Sequence, residues 1–305
     1  MKLTVILITM IFTVSWMAVV SSLDEDTTII YVEDIPGYDY EIQDAINAAN
    51  PYDTIYVMGG TYKGAMINKP LTLIGTGPNT IILAGPLGMM GFIMWPLYVG
   101  GISPDGTTIT QFNFQNCYFS IYVRDVNDIT ITHCDFYPDK YGIYGINTNG
   151  INAHHNTFKD SFNAIYSYLG TNWNIKQNNI EGCKVLGHAV NSIYLIDNSG
   201  TQVKQNTIKY RGSATGIYDD EMYFGIFLSA NIVSENNQIM NNNIEIYVPD
   251  AKYSAGIGFY DFSAKYGGPI ILKNNIIMNN DVSKSYEGVR IDPILLYEVN
   301  IIMNN

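Results

Sequence analysis

One short pattern recurs along the chain: an apolar residue, two polar residues, Asn or Cys, any residue, then Ile or Phe. It occurs as FQNCYF (114–119), ITHCDF (131–136), AHHNTF (153–158), IKQNNI (175–180) and VKQNTI (203–208). NQIMNN from Asn237, and NIIMNN from Asn275 and again from Asn300, extend the series. With Cys117, Cys134, Asn156, Asn178, Asn206, Asn237, Asn275 and Asn300 as anchors, the intervals are 17, 22, 22, 28, 31, 38 and 25 residues. Each segment alternates apolar and polar side chains with a period of two, which predicts strands. Gly, Asn, Asp and Ser between the segments predict turns. An interval near 22 residues is too short for a strand–helix–strand crossover of roughly 30 residues. It suits one coil of a parallel solenoid, each coil rising about 4.8 Å on the last. Residues 107–305 are therefore expected to be stacked repeats of one unit.

A recurring inward Asn costs free energy unless its amide is paired. Stacked at strand spacing, successive amides can bond up and down the row. The Asn anchors are thus expected to be buried and bonded along the stack, with Cys117 and Cys134 at the same position in the earliest coils. The two thiols are expected to stack; the alternative is a disulfide between adjacent coils, since a rise of about 4.8 Å falls within the allowed Cα range. Residues in excess of 22 must leave the coil as loops or added strands. The stretches 184–200, 211–230 and 249–268 are where groove walls are expected, if the excursions share one side.

The chain opens with Met1, Lys2 and an uncharged run from Leu3 to Val20, followed by Ser21, Ser22 and the acidic Asp24, Glu25 and Asp26. One basic residue, an apolar segment and a small-residue exit predict a secretory signal peptide over residues 1–22. An uncleaved anchor is the alternative. A secreted, periplasmic or cell-surface location follows from either. Residues 23–305 are expected to form a single domain. Without Lys2 they carry 15 basic and 28 acidic residues, a net charge of −13. Such a chain lacks the counter-charges that phosphate demands, so no nucleic-acid partner is expected. Cys117, Cys134 and Cys183 have no CxxC spacing, which excludes a disulfide scaffold and a zinc site.

Residues 40–50, YEIQDAINAAN, place Ile42, Ala45, Ile46 and Ala49 on one helical face, with Asp39 as the expected N-cap and Pro51 as the stop. A solenoid needs a cap over its first coil, and this helix is the candidate. The stretch EIQDAINAANPYDTIYVMGGTYKGAMINKPLTLIGTG (41–77) resembles the N-terminal cap and first coils of the pectin-lyase-like superfamily. Its IQ-AI helix, DTI-V strand, G-Y turn and KPLTL-G strand carry the resemblance. The chain is most similar to the secreted β-helix-repeat proteins of that superfamily, grouped with carbohydrate-binding and sugar-hydrolysis domains. That group includes NosD-type accessory proteins of copper-site assembly. The resemblance implies an all-β fold: a right-handed parallel β-helix with an N-terminal capping helix. Cap and first coils would span 29–77, and the Asn-ladder repeats 107–305. Activity does not follow, because one fold hosts many functions.

Candidate chemistry is sparse. Polygalacturonase-type hydrolases of this superfamily carry NTD, DD, GH and RIK-like motifs in order. Here Asn147-Thr148-Asn149 lacks the carboxylate, Gly187-His188 precedes Asp219-Asp220, and Arg290-Ile291-Asp292 lacks the lysine. Glycoside hydrolysis needs paired carboxylates, so the departure argues against that activity. Asp219, Asp220 and Glu221 are the densest carboxylate cluster; with Arg211 they are the candidate acid–base or calcium site, against the alternative of a solvated acidic turn. His133 and His155 precede successive anchors and would stack one coil apart, a candidate pair for copper or zinc. His154 and His155, as strand neighbours, are expected to face opposite ways. Tyr141, Tyr144, Tyr166, Tyr168, Tyr218, Tyr223 and Tyr260 fall between the anchors and are the candidate sugar-stacking residues.

The leading expectation is a non-catalytic secreted or cell-surface protein that presents a long face to a polysaccharide, a surface glycan or a protein partner. A polysaccharide lyase or glycoside hydrolase is the second reading, with Ca2+ as its cofactor, and a NosD-type role in copper-site assembly is the third. The sequence stops at NIIMNN, a repeat unit with no capping segment after it. An open coil edge there is expected to meet a further region of chain or a protein partner.

Overall fold

A computed structural model describes residues 17–24, 27–85, 89–96, 102–137, 140–182, 189–213, 222–261, 272–291, 301–303 and 305. The chain winds as a parallel β-helix with three long sheets, here named A, B and C in the order a coil visits them. Among the described residues sheet A has twelve strands, and sheets B and C have eight each. One coil illustrates the unit: Thr130–Thr132 in sheet A, Asp135–Tyr137 in sheet B and Tyr141–Ile146 in sheet C, after which Asn152–His154 returns to sheet A one coil on. All pairings are parallel except at the start, where Met17–Asp24 runs antiparallel to Thr27–Val32. Residues 1–16, most of the expected signal peptide, lie outside the described residues.

The helix, α1, spans Glu41–Ala48 and lays Ile42, Ala45 and Ile46 over the first coil. Its N-cap is Tyr40 without a side-chain cap bond, so Asp39 does not fill that role. The helix is fastened from below. The Gln43 side chain accepts from the Met66 N–H (2.8 Å) and donates to its carbonyl (3.3 Å), and Lys69 Nζ donates to the Ile46 and Ala49 carbonyls (2.9 and 2.7 Å). A cation at a helix C-terminus satisfies orphan carbonyls and complements the dipole.

The coil interior is a set of like-on-like stacks. Ile109, Ile131, Ala153, Ile175, Val203, Ile239 and Ile277 line sheet A, and Phe114, Phe136, Phe158, Ile180, Ile208 and Ile244 line sheet B. The Phe114, Phe136 and Phe158 rings stack at 5.1 and 4.5 Å, nearly parallel.

Between sheets A and B the corner is always two residues. The first is left-handed: Gln111, His133, His155, Gln177, Gln205 and Asn241 have φ between 53° and 63°. The second is the ladder residue. Asn178 Oδ1 accepts from both the backbone N–H and the Nδ2 of Asn156 (3.0 and 3.1 Å). Its own Nδ2 donates to the Ala153 carbonyl and to Asn206 Oδ1 (2.9 and 3.0 Å). The same geometry continues through Asn206, Asn242, Asn280 and Asn305.

Three expectations need correction here. The ladder leaves Asn206 for Asn242 and Asn280, and Asn237 and Asn275 build a second ladder beneath Thr201 instead. NQIMNN holds two asparagines five residues apart, and the pairing of Ile239 with Val203 puts the second one in register. Asn300 lies outside the described residues. Cys117 is not in the ladder either: Phe112 occupies the corner below Cys134, and Cys117 lies in the connection from sheet B to sheet C. Consequently no disulfide joins them, and both are buried free thiols, with Cys134 pushed up to about 12 by burial.

The model predicts that Asn178→Leu, which strips a partner from Asn156 and from Asn206, destabilises the protein by about 3 kcal/mol, since each orphaned buried polar group costs roughly 1–3 kcal/mol. Asn242→Leu should cost as much. Urea unfolding checks both, and a loss below about 1 kcal/mol at either site would show that the ladder contributes little.

Candidate ligand-binding face

Because the A–B corner admits only two residues, length variation enters elsewhere. The chain grows between Glu181 and Ala189, between Arg211 and Met222, after Asp261 and after Ile291. The first two connections lead from sheet B into sheet C, and the last two lead out of sheet C. The excursions therefore stand along both borders of sheet C, not along one side. Parts of the stretches expected as groove walls are sheet C itself, whose strands lengthen from six residues at Asn163–Tyr168 to eight at Ala189–Ile196 and nine at Met222–Ala230 and Tyr253–Asp261.

Sheet C strands share an Ile followed by an aromatic residue: Ile121-Tyr122, Ile143-Tyr144, Ile165-Tyr166, Ile193-Tyr194 and Ile226-Phe227. Parallel register stacks each pair on the next. The isoleucines belong to the coil core, so alternation turns the aromatics outward. Their centroids follow one another at 5.6, 4.5, 5.4 and 5.0 Å from Tyr122 to Phe227. Tyr122, Tyr144 and Tyr166 lie nearly parallel, at 13° and 3°. The stack breaks at the next coil, where Tyr194 meets Tyr166 at 86°. A second outward column holds Phe119 and Tyr141, stacked at 5.1 Å, then Asn163, Asn191 and Phe224. Phe224, Phe227 and Ala255 form an apolar cluster separate from the core, with Tyr194, Tyr253 and Tyr260 against it.

Where the aromatic stack breaks, two asparagines interrupt the second column. Asn163 Nδ2 donates to the Asn191 carbonyl at 2.5 Å. The Asn191 side chain is wholly buried (0% exposed), and neither Oδ1 nor Nδ2 has a hydrogen-bond partner. In the outward columns charge appears only at Arg124, Glu287 and Arg290 among the described residues. Arg124 lies over the Trp95 ring at 4.7 Å, Arg290 over Tyr253 at 4.5 Å with Glu287 at 2.9 Å, and Lys140, at the border, over Tyr118 at 4.7 Å. The middle of the face is neutral. Burial raises Tyr141, up to about 12, and also raises Tyr144, Tyr166 and Tyr194, so these phenols stay protonated. Beyond Tyr168 the face meets a polar recess of about 230 Å³ containing Asp125, Asn147, Asn149 and Thr171.

The other candidates are distributed differently. Tyr141, Tyr144 and Tyr166 stand in the aromatic columns, with Tyr168 and Tyr260 along the outer edge. Tyr223 points into the core and stacks on Tyr210, so it is not a surface residue. Arg211 ends a sheet B strand and pairs with Glu245 over the Tyr247 ring. Tyr218, Asp219, Asp220 and Glu221 lie outside the described residues. The sequence reading passed over Phe119, Tyr122, Asn163, Asn191, Tyr194 and Phe227; the recurring Ile-Tyr dipeptide was the signal that would have found most of them.

The histidines gather at the A–B corner. His155 sits in the left-handed turn at φ 56° rather than in a strand, so it does not face away from His154: their Nδ1 atoms are 2.9 Å apart. His133 stacks on His155 at 5.1 Å and 1°, and Thr132 Oγ1 bonds Nδ1 of both His133 and His154. Burial, with His155, Lys176 and His133 nearby, holds His154 below its ordinary value. Among the described residues no group of three His, Cys, Asp or Glu side chains is arranged to hold a metal ion. No helix among them is long and apolar enough to cross a membrane.

A three-sheet coil with an amide-laddered corner defines a parallel β-solenoid with one differentiated face. The chain belongs to the right-handed β-helix region family, whose model matches residues 100–292. Among solved structures it is similar to the catalytic domain of a GH87 α-1,3-glucanase in complex with nigerose (13% identity, TM-score 0.44, 85% of this chain and 59% of that one). It is also similar to a pectin methylesterase in complex with a hexasaccharide (10%, 0.45, 83% and 89%) and to the periplasmic alginate epimerase AlgG (11%, 0.41, 92% and 84%). The chain spans 59% of the glucanase domain's length. No curated protein matches the sequence.

The buried phenols set a pH dependence. An unfolded tyrosine ionises near pH 10, whereas the folded row ionises later, Tyr141 at about 12. The neutral form is thus favoured by folding, and its contribution is complete below about pH 10 and lost as pH climbs through the folded value. Phenolate absorbance should show a class of tyrosines with delayed titration, and Tm should fall steeply over that same range. Titration of every tyrosine near pH 10 would contradict the burial described.

Proposed function

We propose that this protein binds an extended glycan along the outer face of sheet C and does not chemically alter it. The observation that carries the reading is the outward row Tyr122, Tyr144, Tyr166 and Tyr194, running along the long axis of the solenoid with an unpartnered amide beside it. Tyrosine offers an apolar body and a polar tip, which matches a sugar's apolar ring faces and equatorial hydroxyls. Concave or grooved surfaces with few, well-placed polar groups are the usual setting for such ligands, and the lengthened connections border this face on both sides. Export from the cytoplasm is part of the reading and rests on the Leu3–Val20 segment.

One observation favours catalysis as a second reading. Asp219, Asp220 and Glu221 lie in the connection from the strand ending at Arg211 to the strand beginning at Met222, which enters sheet C. Carboxylates at that border could serve a lyase with calcium or a hydrolase. Incubation with polysaccharides, with and without Ca2+, followed by assays for reducing ends and unsaturated products, separates the readings; turnover abolished in Asp220→Asn would establish the enzyme.

For the binding reading, affinity electrophoresis in polysaccharide gels should retard the wild type. Tyr144→Ala and Tyr166→Ala should each weaken binding about tenfold, which is about 1.4 kcal/mol. Tyr223→Phe, altering a core residue, should leave it unchanged. Equal retardation of wild type and both alanine variants would overturn the reading.

A further inference from the structure

We infer that the glycan on this face is uncharged, and that Asn191 is the residue that selects for it by hydrogen-bonding a sugar hydroxyl. The inference rests on the glycan-binding reading above and adds the ligand's chemical class. Asn191 lies outward in sheet C, between Asn163 and Phe224 in its column. Its side chain is wholly buried, yet its donor and its acceptor are both unused. Buried polar groups in folded proteins are paired almost without exception, because an unpaired one forfeits its hydration. The ladder asparagines of the same chain obey that rule: Asn178 uses its acceptor twice and its donor twice. Asn191 departs from it at the coil where the Tyr122–Tyr144–Tyr166 stack breaks and Tyr194 turns edge-on.

A hydroxyl group both donates and accepts, so vicinal hydroxyls of a neutral sugar satisfy Oδ1 and Nδ2 together. A uronate carboxylate only accepts; it would leave Oδ1 unpaired and bring a charge onto a face whose centre holds none. The cations that could answer it are engaged elsewhere: Arg124 over Trp95, Lys140 over Tyr118 and Phe162 with a 2.7 Å bond to the Tyr118 hydroxyl, and Arg290 over Tyr253 with Glu287. The net charge of −12 opposes polyanions further. The same argument makes specificity asymmetric, since a site built to bond a hydroxyl rejects a ligand that leaves its polar groups unpaired.

The test uses the full chain and two classes of soluble polysaccharide: a neutral glucan and a galactomannan, against polygalacturonate and alginate. Wild type should bind a neutral polymer at least tenfold more tightly than either polyanion. Asn191→Leu fills the same space without polar atoms; it should keep or raise Tm while losing tenfold or more in affinity for the neutral polymer. Asn191→Ala should lose the same affinity. A lowered Tm with affinity intact in both variants would make Asn191 a structural amide and overturn the inference. So would tighter binding of polygalacturonate or alginate by the wild type, which would leave the glycan-binding reading standing. If no polysaccharide binds, and Tyr144→Ala and Tyr166→Ala behave as the wild type, the glycan-binding reading itself fails and the inference with it.

Discussion

The rest of the molecule depends on a two-residue corner. At each passage from sheet A to sheet B the chain turns through one left-handed residue and one inward amide or its substitute. The left-handed conformation costs an L-residue about 1–2 kcal/mol. The ladder amide offsets this by accepting twice from the coil before it and donating to a main-chain carbonyl of that coil. Since each bond joins one coil to the next, the arrangement has value only when repeated. A lone corner of this kind would be a strained turn with an orphaned amide; a stack of them is a spine.

A spine of fixed length per coil leaves the other two corners to vary. Every long insertion enters or leaves sheet C, and the strands of that sheet lengthen toward the C-terminal coils. Sheets A and B are thereby held to short, uniform strands, with polar outward columns such as Thr130, Asn152, Asn174 and Gln202. Sheet C acquires borders, an aromatic surface and the unpaired Asn191. Structural economy and functional freedom are separated around the circumference of the coil.

The aromatic face also bears on stability. Tyr122, Tyr144 and Tyr166 cover one another's ring faces as they climb the sheet, and each such pair contributes about 0.5–1.5 kcal/mol beyond its buried area. The row is therefore part of the fold as well as a surface. What it presents outward is ring edges and protonated hydroxyls, until the stack breaks at Tyr194 and ring and amide lie side by side.

Much of this architecture could be read from residue order. Period-two segments repeating near 22 residues mean strands that stack on like strands, and a recurring Asn in such a stack means an amide row, because no other arrangement pairs it. The helix over the first coil followed from Ile42, Ala45 and Ile46. Register was harder. NQIMNN contains two asparagines, and only the pairing of Ile239 with Val203 decides that Asn242 continues the spine while Asn237 begins another. Cys117 resembles Cys134 in its local pattern, yet the coil closes on Phe112. His155 reads as a strand residue, and only the turn's left-handed backbone brings its Nδ1 to that of His154. Sequence by itself determined that the chain is a solenoid with a laddered corner, because that follows from periodicity and from the cost of an unpaired amide. Tertiary structure alone decided which tyrosines share a surface and which one is core. It alone decided that Asn191 is left without a partner, because pairing across coils some 22 to 38 residues apart depends on loop lengths that no local pattern specifies.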